Sequence, residues 1–252
     1  VFDSAKKVSG KNIIVVCNND NHRELKNILS DCKLVIQKNQ KGTADAIEVA
    51  KKYIKTENFI ILFGDVPLIT DKSLKKLIRS FKNNNAGSMI AFNTQKPKGY
   101  GRVILSNNKV TKVVEEINTT VNEKIIELCN SGIMLVKKSI FYKNIKFIKF
   151  NKKKKERYLT DIFEIYFKKN IPFSFVLSSE DEMSGVNNLI DFNKVDSLFQ
   201  NRLVNKFLAQ GVLIKKPETS YFSYNTKIAK KVIIEPNVVI RNNVSIKSGS
   251  II

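Results

Sequence analysis

The sequence predicts a doubly wound α/β domain with a mostly parallel sheet, followed by the start of a left-handed parallel β-helix. Three observations carry this. Between residues 13 and 92 short apolar runs alternate with helical periodicities, the pattern of a parallel sheet with crossover helices. The run Phe59-Ile60-Ile61-Leu62-Phe63 reads as a strand buried on both faces, and it ends in Gly64-Asp65-Val66-Pro67. The carboxyl end of such a strand is where open α/β sheets bind ligands. Finally, Ile234, Ile240, Ile246 and Ile252 recur every six residues, with Val238, Val244 and Ser250 in step, and a hexapeptide period is the signature of a parallel β-helix.

In chain order, residues 1–9 read as a helix stopped by Gly10. Ile13 to Cys17 is a buried strand, and Asn19 to Ser30 a helix with Leu25, Ile28 and Leu29 at core spacing. Leu34-Val35-Ile36 is a short strand, and residues 37–42 a polar loop. Thr43 to Ile54 is a helix with Ala46, Ile47, Ala50 and Ile54 on one face. After the strand at 59–63 come a helix near 71–82 and a strand from Ser88 to Phe92. Residues 102–105 and 110–114 form a hairpin with Asn107-Asn108 at its turn. Ser131 to Val136 is a strand, Tyr158 to Lys169 a helix and Phe173 to Leu177 a strand. A long amphipathic helix spans 188–210, with Leu189, Phe192, Val195, Phe199, Leu203 and Phe207 three or four residues apart. Three segments follow: 1–187, a connecting 188–224, and the repeat at 225–252.

Composition bounds the function. The chain has 252 residues, enough for a real core, and no apolar run approaching the roughly 18 residues that span a membrane. Its three cysteines, Cys17, Cys32 and Cys129, are too few and too scattered for a disulfide framework or a zinc site, and they suit a reducing cytoplasm. The net charge of +21 would attract phosphorylated molecules or nucleic acid. The lysines are spread through most elements, however, and the one block, residues 151–155, lacks interleaved aromatics. That favours a solvated loop over a nucleic-acid module. The first residue is Val1 rather than Met, and the repeat offers barely one coil, so a piece of a longer chain is expected.

Local chemistry is suggestive without being decisive. In the loop Gln37-Lys38-Asn39-Gln40-Lys41-Gly42-Thr43, Gly42 permits close backbone approach, Thr43 can cap a helix whose amides favour anions, and the two-way amide of Gln37 could read a nucleobase edge. Asp65 is either a ligand-site acid or a loop acid bonded to neighbouring amides. Glu115 follows a strand and could be a surface acid; Asn130 could cap a turn, and Asn187 could be the N-cap of the long helix. The single histidine, His22, reads as a surface residue.

Taken in order, Gln37…Gly42-Thr43, Phe63-Gly64-Asp65-Val66-Pro67-Leu68, Gly99-Tyr100-Gly101-Arg102, Val114-Glu115-Glu116, Asn130-Ser131-Gly132-Ile133, Tyr158-Leu159-Thr160-Asp161-Ile162 and Gly185-Val186-Asn187-Asn188 resemble the GlmU family. Its members are bifunctional N-acetylglucosamine-1-phosphate uridyltransferases and glucosamine-1-phosphate acetyltransferases. The resemblance covers nearly the whole chain. It implies a nucleotide-diphospho-sugar transferase fold and the reaction of UTP with N-acetylglucosamine 1-phosphate to give UDP-N-acetylglucosamine and pyrophosphate, with Mg²⁺, in cell-wall biogenesis. It further implies that Gln37, Gly42 and Thr43 contact uracil and ribose, and that Phe63, Gly64 and Asp65 line the nucleotide side. Gly101, Glu115 and Asn130 would hold the sugar, Tyr158 and Thr160 its pocket wall, and Asp65 with Asn187 the magnesium. One carboxylate and one amide oxygen suit a hard cation that keeps phosphate and water ligands. A phosphate nucleophile is already ionised, so positioning matters more than a protein base. A related nucleotidyltransferase with another sugar or base is the alternative.

Three departures stand out. The family's Gly-rich amino-terminal loop, with its Arg and Lys, has no counterpart from Val1 onward, so no catalytic residue is assignable. Such clamps are worth ~10²–10³ in rate, and the sequence as given would be expected to show impaired activity. Asp45 stands where the family usually carries histidine. Only the first turns of the acetyltransferase β-helix are present; acetyl-CoA would be a substrate, and a homotrimer the assembly, only with the remainder.

Overall fold

The computed structural model describes residues 1–82, 84–151 and 156–252, so most of the lysine block at 151–155 lies outside the described residues. Two compact units emerge, Val1–Met183 and Ser184–Ile252. The segments drawn at 188–224 and 225–252 thus belong to one unit.

The first unit contains helices α1 (Phe2–Ser9), α2 (Asn19–Ile28), α3 (Thr43–Ala50), α4 (Asp71–Ser80), α5 (Val121–Lys124), α6 (Lys138–Ile145) and α7 (Asp161–Lys168). Its strands are β1 (Ile14–Cys17), β2 (Lys33–Ile36), β3 (Asn58–Ile61), β4 (Gly87–Asn93), β5 (Arg102–Ser106), β6 (Lys109–Val114), β7 (Leu128–Lys137) and β8 (Phe173–Ser178). The main sheet runs β6-β5-β7-β4-β8, with β3 also on β7. Strands β3, β4 and β5 pair antiparallel with β7, and β8 pairs parallel with β4. Consequently β3, β4, β5 and β8 run one way and β6 and β7 the other. Strands β1 and β2 form a separate parallel pair.

Strand alternation assigns the helices to two faces. On one face Met89 and Ala91 of β4, with Met134 and Val136 of β7, pack with Ile47 of α3, Phe141 of α6 and Phe163 and Tyr166 of α7. On the other, Ile90 and Phe92, with Cys129, Ile133 and Leu135, pack with Leu74 and Leu77 of α4. Between Met89↔Met134 and Ala91↔Asn130 the ladder breaks, leaving Ile90 opposite the three residues 131–133. Ser131 Oγ fills the break, donating to Ile90 O at 2.7 Å and accepting from Ile133 N at 3.1 Å. The predicted hairpin is present: Asn107 and Asn108 both adopt positive φ, 48° and 57°, as a two-residue turn requires.

Several expectations are corrected. The strand at 59–63 is shorter, Asn58–Ile61, is only half-buried and pairs antiparallel, because its partner is β7. In β1 only Cys17 is buried, since the β1–β2 pair stands apart from the main sheet. Helix α2 buries no residue, and Ile28 is 68% exposed. Helix α3 ends at Ala50 and buries Ala44 rather than Ala46. Helix α7 begins at Asp161, so Tyr158 lies in the preceding loop. Sequence patterning gave no sign of α6, whose buried Phe141 and Ile145 sit among lysines.

In the second unit, α8 (Leu189–Ala209) is followed by two-residue strands β9 (Leu213–Ile214), β10 (Tyr221–Phe222), β11 (Lys227–Ile228), β12 (Ile233–Ile234), β13 (Val239–Ile240) and β14 (Ser245–Ile246). They stack in parallel: Tyr221 on Val239, Lys227 on Ser245 and Leu213 on Ile233. The coil therefore reaches back to Leu213. The period hides this, because residues 215–220, including a short 3₁₀ turn at Pro217, lengthen the first turn to twenty residues against eighteen. Inward residues Ile214, Phe222, Ile228, Ile234, Ile240 and Ile246 pack with Leu203, Val204 and Phe207 of α8. The start of α8 does not join them: Leu189 is 85% exposed and Phe192 is also exposed.

Candidate functional site

The loop after β2 is held from two sides. Gly42 has φ 103° and ψ 179°, a region essentially restricted to glycine. A Cβ there would lie 2.7 Å from Arg157 O and 2.8 Å from Arg157 N. The backbones are stitched together by Arg157 N donating to Lys41 O at 2.8 Å and Ala44 N to Arg157 O at 3.3 Å. Arg157 is anchored in turn: its guanidinium pairs with Glu48 of α3 and donates to Ile145 O at 2.9 Å. Thr43 is the first helical residue, and Gly42 is the N-cap. Thr43 Oγ1 accepts from Leu159 N at 3.1 Å, so it ties the loop to the segment bearing Tyr158 and Thr160 instead of capping α3. Gln37 Nε2 donates to Gly42 O at 3.2 Å and to Asp45 Oδ2 at 3.0 Å.

From Thr160 the contacts continue. Its Oγ1 donates to Glu115 Oε1 at 2.6 Å, so Glu115 is a half-buried, partnered carboxylate rather than a free surface acid. A Cβ on Gly101 would sit 3.7 Å from Glu115 Oε2. Gly101 O accepts from Asn130 N at 2.8 Å. Asn130 Oδ1 accepts from Gly132 N at 2.9 Å; the turn-capping role is thus real, and it leaves the side-chain amide N–H groups available. Gly132, at φ 79°, lets the chain pass the Phe63 ring, which a Cβ would meet at 2.8 Å. Gly64 and Asp65 follow Phe63 in the turn after β3. Eleven of the twelve sequence-selected positions thus lie along one chain of contacts and adjacent residues.

Asp65 is exposed, and among the described residues its carboxylate has no hydrogen bond or ion pair. The reading of a loop acid bonded to nearby amides is therefore not realised. Gly64 has open space around it. Tyr158 is half-buried; burial first, then the charges of Glu156, Glu115 and Asp161, push its phenol up, so it stays protonated as a hydrogen-bond donor. Asn187 belongs to the second unit and is exposed. The N-cap of α8 is Asn188, which accepts from Ile190 N and Asp191 N, so the capping role suggested for Asn187 is corrected. His22 is partly exposed and lies within α2. Among the described residues no group of three or more His, Cys, Asp or Glu side chains could hold a metal.

Arg157 and Ser131 escaped sequence reasoning as site supports. Neither carries a periodic signal, and both act through tertiary backbone contacts.

A family profile described as nucleotidyl transferase matches residues 2–183. The chain is 38% identical over 219 residues to the bifunctional protein GlmU of Bartonella bacilliformis, covering 86% of this chain and 49% of that protein. It is 32% identical to the GlmU of Bradyrhizobium diazoefficiens, covering 100% of this chain and 57% of the relative. The chain therefore spans about half the length of the curated relatives it matches. Among solved structures, a protein described as a glucose-1-phosphate thymidylyltransferase from Bacillus anthracis superposes with a TM-score of 0.60 at 14% identity. That match covers 77% of this chain and 78% of the other, and it shows a shared fold.

Proposed function

Because the chain belongs to the nucleotidyl transferase family, we propose that its first unit is a uridyltransferase domain joining the uridylyl group of UTP to N-acetylglucosamine 1-phosphate. The observation that carries the proposal is the contact path from Gln37 through Gly42, Thr43, Thr160, Glu115, Gly101, Asn130 and Gly132 to Phe63. It supports a nucleoside site at the Gln37 loop and a sugar site at Glu115 and Asn130, side by side. The substrate identities are those implied by the resemblance to the GlmU family, which relatives of that name support.

In this reading Gln37 meets the uracil edge, and the constrained Gly42 backbone approaches the ribose. Glu115, fixed by Thr160, accepts from sugar hydroxyls, while the free amide of Asn130 and the protonated Tyr158 donate. These groups hold the sugar phosphate oxygen toward the α-phosphorus, and such positioning is the main demand of phosphoryl transfer. The exposed carboxylate of Asp65 fits a hard divalent cation. Bound Mg²⁺ would supply charge neutralisation at the phosphates.

The test is calorimetric titration of the full chain with UDP-N-acetylglucosamine, UDP-glucose and dTDP-glucose in Mg²⁺, alongside pyrophosphate release from UTP and N-acetylglucosamine 1-phosphate. Preferential binding of UDP-N-acetylglucosamine is expected. Tighter binding of either of the other two, or of none, overturns the assignment.

A further inference from the structure

We propose that Asp45 is a positioning residue that makes Gln37 selective for a pyrimidine presenting an N–H at ring position 3, uracil over cytosine. The proposal rests on the uridyltransferase reading above. A glutamine side chain carries two N–H donors and one carbonyl acceptor, and rotation by half a turn exchanges them. Free to rotate, it serves uracil, whose N3 donates, and cytosine, whose N3 accepts, about equally well.

Here the choice is made internally. Nε2 of Gln37 donates to the Gly42 carbonyl at 3.2 Å and to the Asp45 carboxylate at 3.0 Å. Both donors are spent on groups of the same loop and helix start. Among the described residues Oε1 has no partner, so acceptance is the one capacity left for a ligand. A carboxylate only accepts, so Asp45 penalises the flipped amide by setting oxygen against oxygen. The Gly42 carbonyl acts in the same sense. Asp45 sits in the first turn of α3, and Gln37 N is itself fixed to Cys17 O at 2.8 Å, so both ends of the bond are held by backbone.

The conservative variant Asp45→Asn separates this role from simple bracing. Asparagine keeps the shape and a hydrogen bond, but it accepts or donates and so no longer penalises the flipped amide, leaving only the Gly42 carbonyl, at the longer 3.2 Å, to do so. The measurement is the ratio of dissociation constants for CTP and UTP, each with Mg²⁺, on the full chain by calorimetry, with thermal unfolding alongside. The wild-type chain is expected to prefer UTP. Asp45→Asn, at an unchanged unfolding temperature, is expected to lower that preference about tenfold, the worth of one charge-assisted bond. Asp45→Ala should do the same; if it unfolds, Asp45→Asn decides. An unchanged ratio in Asp45→Asn overturns the role of Asp45 and leaves the uridyltransferase reading standing. A wild-type chain with no preference for UTP overturns both.

Discussion

Replacing Gly42 by alanine tests whether the loop after β2 is braced as the geometry requires. At φ 103° and ψ 179° a side chain is strained by about 2–3 kcal/mol. The new methyl also meets Arg157 O and N at 2.7 and 2.8 Å, and both are backbone atoms that cannot swing aside. The loop has two ways to respond. It can keep its path and carry the strain, or lift away and lose the two backbone bonds that Lys41 O and Ala44 N make with Arg157, at about 1 kcal/mol each. Either response costs about 2–3 kcal/mol, and the smaller governs. For a unit of this size that lowers the unfolding temperature by about 4–12 °C. Gly64→Ala is the control, because nothing lies within 4 Å of its Cβ position and its φ is ordinary. It should unfold within about 0.5 kcal/mol of the wild type. Thermal and urea unfolding followed by circular dichroism, with UDP-N-acetylglucosamine titration, provides the comparison. Under the proposed site, Gly42→Ala weakens binding together with stability, whereas Gly64→Ala weakens binding alone. If Gly42→Ala unfolds like the wild type, the loop is not held as described.

Other perturbations probe other parts. Glu182 is 8% exposed and accepts from Thr70 N at 2.6 Å and from Ser73 Oγ and Ser178 Oγ at 2.7 Å. Burial pushes this carboxyl up, but the three donors outweigh it and hold it below its usual value. Its stabilisation is therefore complete above the unfolded-state pKa of about 4.3 and is lost as pH falls through the lower folded value. Glu182→Gln should cost about 2–3 kcal/mol near neutrality by urea titration, and the gap should close on acidification; a gap that persists in acid excludes the mechanism. Thr160→Val removes the 2.6 Å bond to Glu115 and should weaken UDP-N-acetylglucosamine binding about tenfold with about 1–2 kcal/mol lost in stability. Equal affinity in the variant would mean that Glu115 does not hold the sugar. Asp65→Asn should leave unfolding unchanged, since the carboxylate has no partner among the described residues, while abolishing the Mg²⁺ dependence of UTP binding. Retained dependence would remove Asp65 from the metal site.

The parts of this molecule that could be read from sequence are those written in local code. Alternating runs and turn residues located most elements, and Asn107-Asn108 announced its own turn. What could not be read depends on partners far along the chain. The apolar run at Phe59 looks alike whether its neighbour is parallel or antiparallel, and only β7, some seventy residues on, decides. Ile28 and Leu189 keep perfect helical spacing on faces that nothing in their own unit covers. The site followed the same rule. The ordered motifs found the residues that touch one another, but Asp45 gained meaning only when its oxygen was seen on Gln37. Arg157 was invisible because its contribution is mostly backbone.

The break in β7 has a further consequence. Ile90 faces three residues where a regular ladder would put one, so β7 carries two extra residues. Two is an even number, and an odd slip would exchange the faces of everything beyond it. Cys129 and Ile133 therefore stay on one face of the sheet, and Met134 on the other, across the interruption. The core sees an unbroken alternation while Ser131 and Gly132 are released from the ladder, beside the paired Asn130. The interruption is a parenthesis in the strand, set apart while the surrounding sentence still parses.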